Sequence, residues 1–597
     1  MLSDLSVAPR SSRIGLADVS LILVGLMWFF PFLHYRHHYP LTTFYQEWWS
    51  ALLGVLALSL LGGRAAWVRP RIPRIAQLPI AFIVVVFVQF ALGWIAYFEQ
   101  AILYVLYLLF AALLMCLGAN LRDRLSMAKL AQVLAVFLLA GAELNAMIGL
   151  VQQYHWPTPL DTVIVMKVAS SVFGNIAQAN HFANYMTLGL ISLGLLYQRG
   201  LAGRYVTLLA VPLLFVMALS GSRSSWLYLL LLVGLAWLIG HRNVLLRPLL
   251  RYSLLLIAGF GLVHLTLQLP FLTGSDSSIN TVQRLFGHEA SGGIRLYLWR
   301  EASLMFMQSP WLGSGFGQFA WQHFRLVPQL HPGGIVGLYN NAHNILFQLA
   351  AETGLVGLLA LCVPLVVWLR GLRCAALDAA HWWGYAILGV LAIHSLLEYP
   401  LWYAYFLAIA AILLGALDEK HYFLKWLIVC RLTVLSVLLA GMLVLVELRV
   451  AYQKLESAMV VRPVSSPEDK SFEHAWNDLL ELRASSLLAP YSELFMSSLT
   501  EVNDQQLDRK LALNTRVMRF VPVNPVVYRQ VLLLAQAGQQ ESARVLLRQA
   551  VWSYPEGFAG ARKQMVKLAE KDPVHFSALL EFALQTEQEH LHAVRNK

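Results

Sequence analysis

Four polar clusters stand at the ends of long apolar runs, and their side chains are of the kinds that grip phosphate and move protons. The first, GNIAQANHFANYM (174–186), carries Asn175, Gln178, Asn180, His181 and Asn184. The second, SGSRSSW (220–226), is a tight turn holding Arg223. The third, RLYLWRE (295–301), holds Arg295 and Arg300 and leads into PWLGSGFGQF (310–319). The fourth, YNNAHNILFQLAAETGLVG (339–357), sets His343 at the first turn of a helix. Arginine suits a diphosphate because its planar fork makes paired, charge-assisted contacts. A neutral imidazole at a membrane surface is what a general base requires, and a helix N-terminus disfavours the imidazolium.

Each cluster also admits a plainer role. Asn175 or Asn180 can cap a helix, Arg223 can snorkel to lipid headgroups, and a histidine at a helix start can serve as a cap or interface residue. Arg295 and Arg300 are five apart, about 140° round a helix, so an unbroken helix cannot turn both to one ligand. The GSGFG run follows no predicted strand, which argues against a dinucleotide fingerprint and for a turn that returns the chain to the bundle. Asn344, Gln348 and Glu352 recur every four residues as one polar stripe on an apolar helix. Lipid would not tolerate such a stripe, so it must face protein or a wet cavity.

The elements that position these groups are membrane spans. Thirteen apolar stretches occur near 18–34, 47–63, 76–96, 101–118, 130–151, 181–197, 205–220, 225–240, 252–270, 344–369, 381–398, 402–417 and 432–448, each comparable with the roughly 30 Å core of a bilayer. Basic residues fill alternate gaps: Arg10 and Arg13; Arg64, Arg69, Arg71 and Arg74; Arg122, Arg124 and Lys129; Arg199 and Arg204; Arg242, Arg247 and Arg251; Arg370 and Arg373; Lys420, Lys425 and Arg431. The other gaps hold Arg36, Lys167 and Arg223. The positive-inside rule then puts the N-terminus in the cytoplasm and the polar clusters outside. An odd number of spans puts the tail, 449–597, outside as well.

Composition agrees with that class. The 597-residue chain is 58% hydrophobic and 13% charged, outside the range of soluble domains. Its net charge of +11 is spread over the basic loops, which points to orientation and contact with anionic lipid rather than to nucleic acid. Cys116, Cys362, Cys374 and Cys430 lie in or beside spans without a CxxC pair, so neither a disulfide nor a metal site is expected. In the tail, VVYRQVLLLAQAGQQESARVLLRQAVWSYP reads as a helical hairpin resembling one tetratricopeptide unit, with Ala543 and Ala550 as small packing residues. An ordinary helical domain fits equally well, and either would bind or brace.

Taken together, the clusters resemble a known family. The spacing of Arg295, Trp299 and Ala302, the PWLGSGFGQF that follows and the AHNILFQLAAETGLVG helix are similar to the shared region of bacterial O-antigen ligases and polymerases. FGNIAQANHFANYM and HSLLEYPLWYAYFL (394–407) resemble the protein O-oligosaccharyltransferases of the PglL type within that superfamily. The resemblance implies a GT-C-like, all-helical, polytopic membrane transferase with a transmembrane part (1–448, including an outer loop at 271–343) and a helical periplasmic part (449–597). It implies an undecaprenyl-diphosphate-linked oligosaccharide as donor. It also implies a Ser or Thr hydroxyl of a periplasmic protein, such as a pilin, as acceptor, an inner-membrane location, and no metal or other cofactor. His343 matches the family's proposed base, and Arg223 and Arg295 its diphosphate-handling positions. Gln178 and Tyr405 match positions used around substrate, and Asn344 and Glu352 of the polar stripe are expected there too. A polymerase or lipopolysaccharide ligase with a sugar acceptor is the near alternative, against which the long tail argues. A lipid-linked glycan transporter is the distant one, and it should show internal inverted repeats that this sequence lacks.

Overall fold

A helix that is apolar on every face has to be buried on every face, and residues 181–195 are buried without exception. They form the axle of a helical bundle in the computed structural model, which describes residues 15–34, 40–61, 71–165, 167, 171–269, 291–330, 336–372, 378–423, 425, 427–460 and 470–595. Arg10, Arg13, Arg36, Arg64, Arg69, Arg373, Cys374 and the start of the long outer loop lie outside the described residues.

The bundle begins with α1 (Leu16–Phe29), α2 (Phe44–Leu60), α3 (Gln77–Ala91), α4 (Phe98–Leu125) and α5 (Met127–Tyr154). It continues through α6 (Ala179–Gln198), α7 (Gly203–Leu219), α8 (Ser224–Arg242) and α9 (Arg247–Thr266). The long loop supplies α10 (Ser291–Gln308) and α11 (Phe319–Leu330). Then come α12 (Ile345–Gly371), α13 (Ala379–Ser395), α14 (Ala404–Leu417) and α15 (Leu427–Val460). The only strands among the described residues, β1 (Arg71–Pro73) and β2 (His421–Phe423), pair antiparallel.

Each of the thirteen apolar stretches coincides with a helix among these. Among the described residues, eight segments are long and apolar enough to cross a membrane, and α7 and α14 are apolar but shorter. The chain is thus an all-α, multi-pass membrane protein. α5, α7, α8 and α13 pack round α6, while α4 and α14 lie against each other. Their approach is set by glycine: a Cβ on Gly415 would meet the Met115 carbonyl oxygen at 1.9 Å, and one on Gly118 the Ile412 oxygen at 2.1 Å. Small residues at helix contacts are the usual way apolar helices associate where no hydrophobic effect drives them together.

The outer loop folds back on the bundle. α10 runs beside α12, and the glycine-rich turn after it lies where α12 breaks at Gly354 (φ 61°). A Cβ on Gly313 (φ 70°) would meet the Glu352 carbonyl carbon at 2.2 Å, and one on Gly354 would meet Trp311 at 2.6 Å. Two backbones cross there with no room for side chains, as the turn reading of GSGFG requires. A buried His323–Glu301 pair, 2.7 Å apart, ties α11 to α10.

The tail is helical throughout its described residues: α16 (Lys470–Ser485), α17 (Ala489–Leu499), α18 (Leu507–Phe520), α19 (Asn524–Gln536), α20 (Gln540–Ser553), α21 (Pro555–Lys571) and α22 (Pro573–Arg595). α19 and α20 pair, with Ala543 and Ala550 fully buried. The helix α15 runs across 448/449 and continues to Val460. The tail packs on the long loop: Phe324 of α11 is part of its core, and Gly337 N donates to Ser553 O at 2.8 Å.

Candidate active site

The polar ends of four elements converge on one carboxylate, that of Glu398. The eleventh apolar stretch was expected to run to 398, but α13 stops at Ser395, so Glu398 lies in the loop beyond it. There its side chain is only 2% exposed. Oε2 meets Nδ1 of His343 at 2.8 Å. Oε1 accepts from Nδ2 of Asn180 at 2.8 Å and from the Arg295 guanidinium. Burial works against charge on this carboxyl, yet His343 and Arg295 hold it down to about 2. An ionised carboxylate can only accept, so the proton on His343 between them belongs on Nδ1. The other ring nitrogen, Nε2, is then the one free to take a proton.

His343 is held in place from the backbone outward. Its φ is 52°, in the left-handed region, at a cost of about 1–3 kcal/mol that recurs at functional sites. Its N–H donates to Asn341 Oδ1 at 2.8 Å. The helix itself begins only at Ile345, with Asn344 as its N-cap, so His343 precedes the first turn rather than standing in it. It faces the Glu398 carboxylate rather than the helix axis.

The spacing of Arg295, Trp299 and Ala302 now has a cause. These positions share one face of α10. Ala302 is fully buried, and Trp299 donates to Ala342 O at 3.0 Å and stacks on Phe347 at 5.2 Å. The helix is thereby pinned on both sides of His343, and Arg295 is delivered to Glu398. Arg300 is exposed, on another face, as the five-residue spacing demands. Arg223, half-buried, immediately precedes α8 and stands five residues before Tyr228. The Tyr228 hydroxyl lies 2.7 Å from Nδ1 of His394 on α13, so Arg223 belongs to the same end of the bundle.

Other candidates do structural work. Asn344 spends both ends inside the fold: Oδ1 accepts from the N–H groups of Leu346 and Phe347, and Nδ2 donates to Leu396 O at 3.0 Å. Glu352, in the polar stripe, accepts from Phe319 N at 3.1 Å and fixes the glycine turn. Gln348 accepts from Ala342 N at 2.7 Å. The stripe does face protein: Asn344, next to His343, and Glu352 both bond to loops. Gln178 caps α6, with Oε1 taking His181 N. Asn175 is buried and ties Phe32 O and Val163 O to its amide. Tyr405 is buried among Phe32, Tyr403 and Phe406, and its hydroxyl has no hydrogen-bond partner among the described residues.

Three regions of the chain match known families. Residues 172–197 match the family described as protein glycosylation ligase, and 208–362 the one described as O-antigen ligase. Residues 382–569 match the family described as virulence factor membrane-bound polymerase, C-terminal. The general O-oligosaccharyltransferase of Acinetobacter baylyi is 28% identical over 425 residues, 68% of this chain and 70% of that protein. The ComP-specific O-oligosaccharyltransferase of the same organism is 24% identical over 348 residues, 57% of this chain and 60% of the relative. These matches and relatives support a PglL-type O-oligosaccharyltransferase.

The Glu398 hub of this glycosyltransferase draws on all three matched regions: Asn180 comes from the first, Arg295 and His343 from the second, Glu398 from the third. Sequence reasoning missed Glu398, the role of Asn180, and His394. The signal for Glu398 was present, since it is the one acidic residue in HSLLEYPLWYAYFL. Assigning it to a membrane span hid it.

Proposed function

We propose that this O-oligosaccharyltransferase moves an oligosaccharide en bloc from undecaprenyl diphosphate to a Ser or Thr hydroxyl of a periplasmic protein, such as a pilin. The observation that carries the reading is a base candidate and a diphosphate-binding candidate on opposite oxygens of one buried carboxylate, His343 on Oε2 and Arg295 on Oε1. In the proposed step His343 Nε2 accepts the acceptor's hydroxyl proton as its oxygen attacks the anomeric carbon. The bond from that carbon to the diphosphate breaks on the opposite side, with inversion. Glu398 keeps the imidazole turned and offsets the charge it gains, the part a buried carboxylate plays for any histidine base. Arg295 and Arg223 offset the charge that grows on the departing diphosphate. Arg295 presents one nitrogen to Glu398 and keeps further N–H groups for phosphate oxygens, with 29% of its side chain exposed.

The match described as protein glycosylation ligase supports a protein acceptor. The matches described as O-antigen ligase and membrane-bound polymerase keep a sugar acceptor as the second reading. In the same proposal the chain crosses the inner membrane thirteen times, with this site and the tail on the periplasmic side and lipid around the bundle. Deleting the gene tests the acceptor: one periplasmic protein should lose the mass of one glycan while lipopolysaccharide is unchanged. Altered lipopolysaccharide with unchanged proteins would give the function to the second reading.

A further inference from the structure

Behind Glu398 lies a buried set of groups that the proposed chemistry does not use. His394, in the last turn of α13, is gripped at both ring nitrogens. The Tyr228 hydroxyl of α8 lies 2.7 Å from its Nδ1, and Nδ1 of His181 on α6 lies 2.7 Å from its Nε2. Tyr228, His394 and His181 are all fully buried. One chain of contacts thus joins three helices at their outer ends.

Three connections lead from this chain to the reacting pair. The His394 carbonyl accepts from Glu398 N at 2.7 Å and from Leu397 N at 3.0 Å, so the gripped residue also anchors the loop that carries the carboxylate. His181 follows Asn180, whose amide holds Glu398 Oε1. The Tyr399 ring meets His181 edge-on at 5.7 Å and His343 at 5.2 Å.

We propose that Tyr228, His394 and His181 are positioning residues for the transfer, fixing the 394–399 loop against α6 and so the angle at which Glu398 meets His343. The proposal rests on the transferase reading above. The proton order follows from the surroundings. If Tyr228 donates to His394 and His394 to His181, the last N–H is at His181 Nε2. That atom is buried with no hydrogen-bond partner among the described residues, on a ring surrounded by Tyr399, Tyr403 and Phe406. An N–H tolerates aromatic neighbours better than a bare lone pair does. A buried polar network with one proton order is rigid, which is what a positioning element needs. Misplacing a reacting group by about 1 Å from a distance can cost about a hundredfold.

The test uses full-length wild type, Tyr228→Phe, His394→Gln and the double variant in proteoliposomes. Initial rates are measured against lipid-linked oligosaccharide and an acceptor peptide, from about pH 5 to 8 where imidazole titrates. His394→Gln should lower kcat by about 10- to 100-fold with KM for either substrate little changed. The acid limb should move to lower pH, because His343 loses part of its hold on Glu398. Tyr228→Phe spares the packing and should shift both quantities the same way by less. The double variant should be no slower than His394→Gln, as members of one network are not additive. Losses that multiply, losses confined to KM, or an unmoved pH profile in correctly inserted protein would overturn the proposal. If His394→Gln fails to insert, a Tyr228→Phe enzyme with wild-type rate and pH profile overturns it alone. A wild type that extends a glycan but leaves the peptide untouched would overturn the acceptor reading instead, and the same four proteins would then be compared on that reaction.

Discussion

Two buried glutamates organise this molecule, and their partners set them apart. Glu398 at one end of the bundle is held by His343, Arg295 and Asn180. Glu493 in the tail, 3% exposed, is held by Arg483 Nε at 2.8 Å, Arg516 Nε at 2.9 Å and the Tyr97 hydroxyl at 2.7 Å. All three donors on Glu493 keep their protons through any physiological pH, so that hub is a fixed clamp between the tail and the α3–α4 turn. One donor on Glu398 is an imidazole in a strained backbone conformation with a quarter of its side chain exposed. A hub that contains a group able to change its proton, partly open to solvent, is built for chemistry. The other is built to stay closed.

The comparison breaks first at His343. General-base catalysis contributes about a hundred- to ten-thousand-fold, so His343→Ala should leave little transfer while the protein still inserts and binds donor. His343→Gln should be nearly as poor, because an amide can hold a hydroxyl but cannot take its proton. An alanine variant with most of its activity would reduce this hub to a second clamp.

Glu398→Gln tests the same hub through its charge. The depressed carboxyl is ionised throughout the working range, so its contribution to stability is present above about pH 4.5 and is lost only as pH falls toward about 2. A fall in rate above that range therefore tests the proposed base, since an imidazole with both nitrogens protonated cannot accept a proton. With glutamine in place the imidazolium loses its counter-charge, so the acid limb should move to lower pH and kcat should drop by about 10- to 100-fold. An acid limb that stays where it is would separate Glu398 from the base.

Arg295 comes next. Losing a charge-assisted contact to diphosphate costs on the order of 1.5–3 kcal/mol, roughly ten- to a hundredfold. Arg295→Ala should show that loss, and Arg295→Lys should recover only part of it, having the charge without the fork. Arg300→Ala should be mild. If Arg300 proves essential and Arg295 silent, the face of α10 that matters has been misassigned.

Much of this was legible in the sequence, for reasons that can be named. The apolar stretches are helices because apolar length in a membrane leaves the backbone no alternative. Arg295, Trp299 and Ala302 repeat at helical spacing, and one face of α10 does the work. What could not be read were contacts between residues far apart in the chain. His343 and Glu398 are 55 residues apart, and Arg295 and Glu398 are 103 apart. Periodicity reports only on neighbours within an element. Asn344 and Glu352 show the converse: a polar stripe must face something, and here it faces loops.

The smallest effect on chemistry should come from Glu493. Cutting the tail off is a poor test of its role, since α15 runs unbroken to Val460 and the cut would expose Phe324, which lies between Arg295 and His343 in the chain and packs into the tail core. Glu493→Gln keeps the side chain's shape and removes only the charge. Arg483 and Arg516 are 43% and 44% exposed and can turn to water, so the loss should lie nearer 1 than 3 kcal/mol. It should appear as earlier thermal unfolding of the tail and as easier proteolysis around 483–520. On the reading that the tail docks the acceptor, transfer to a short acceptor peptide should change little, while transfer to a folded protein should fall more. A peptide rate as damaged as that of Glu398→Gln would mean that the two hubs are one machine, and that the clamp helps set the geometry at His343.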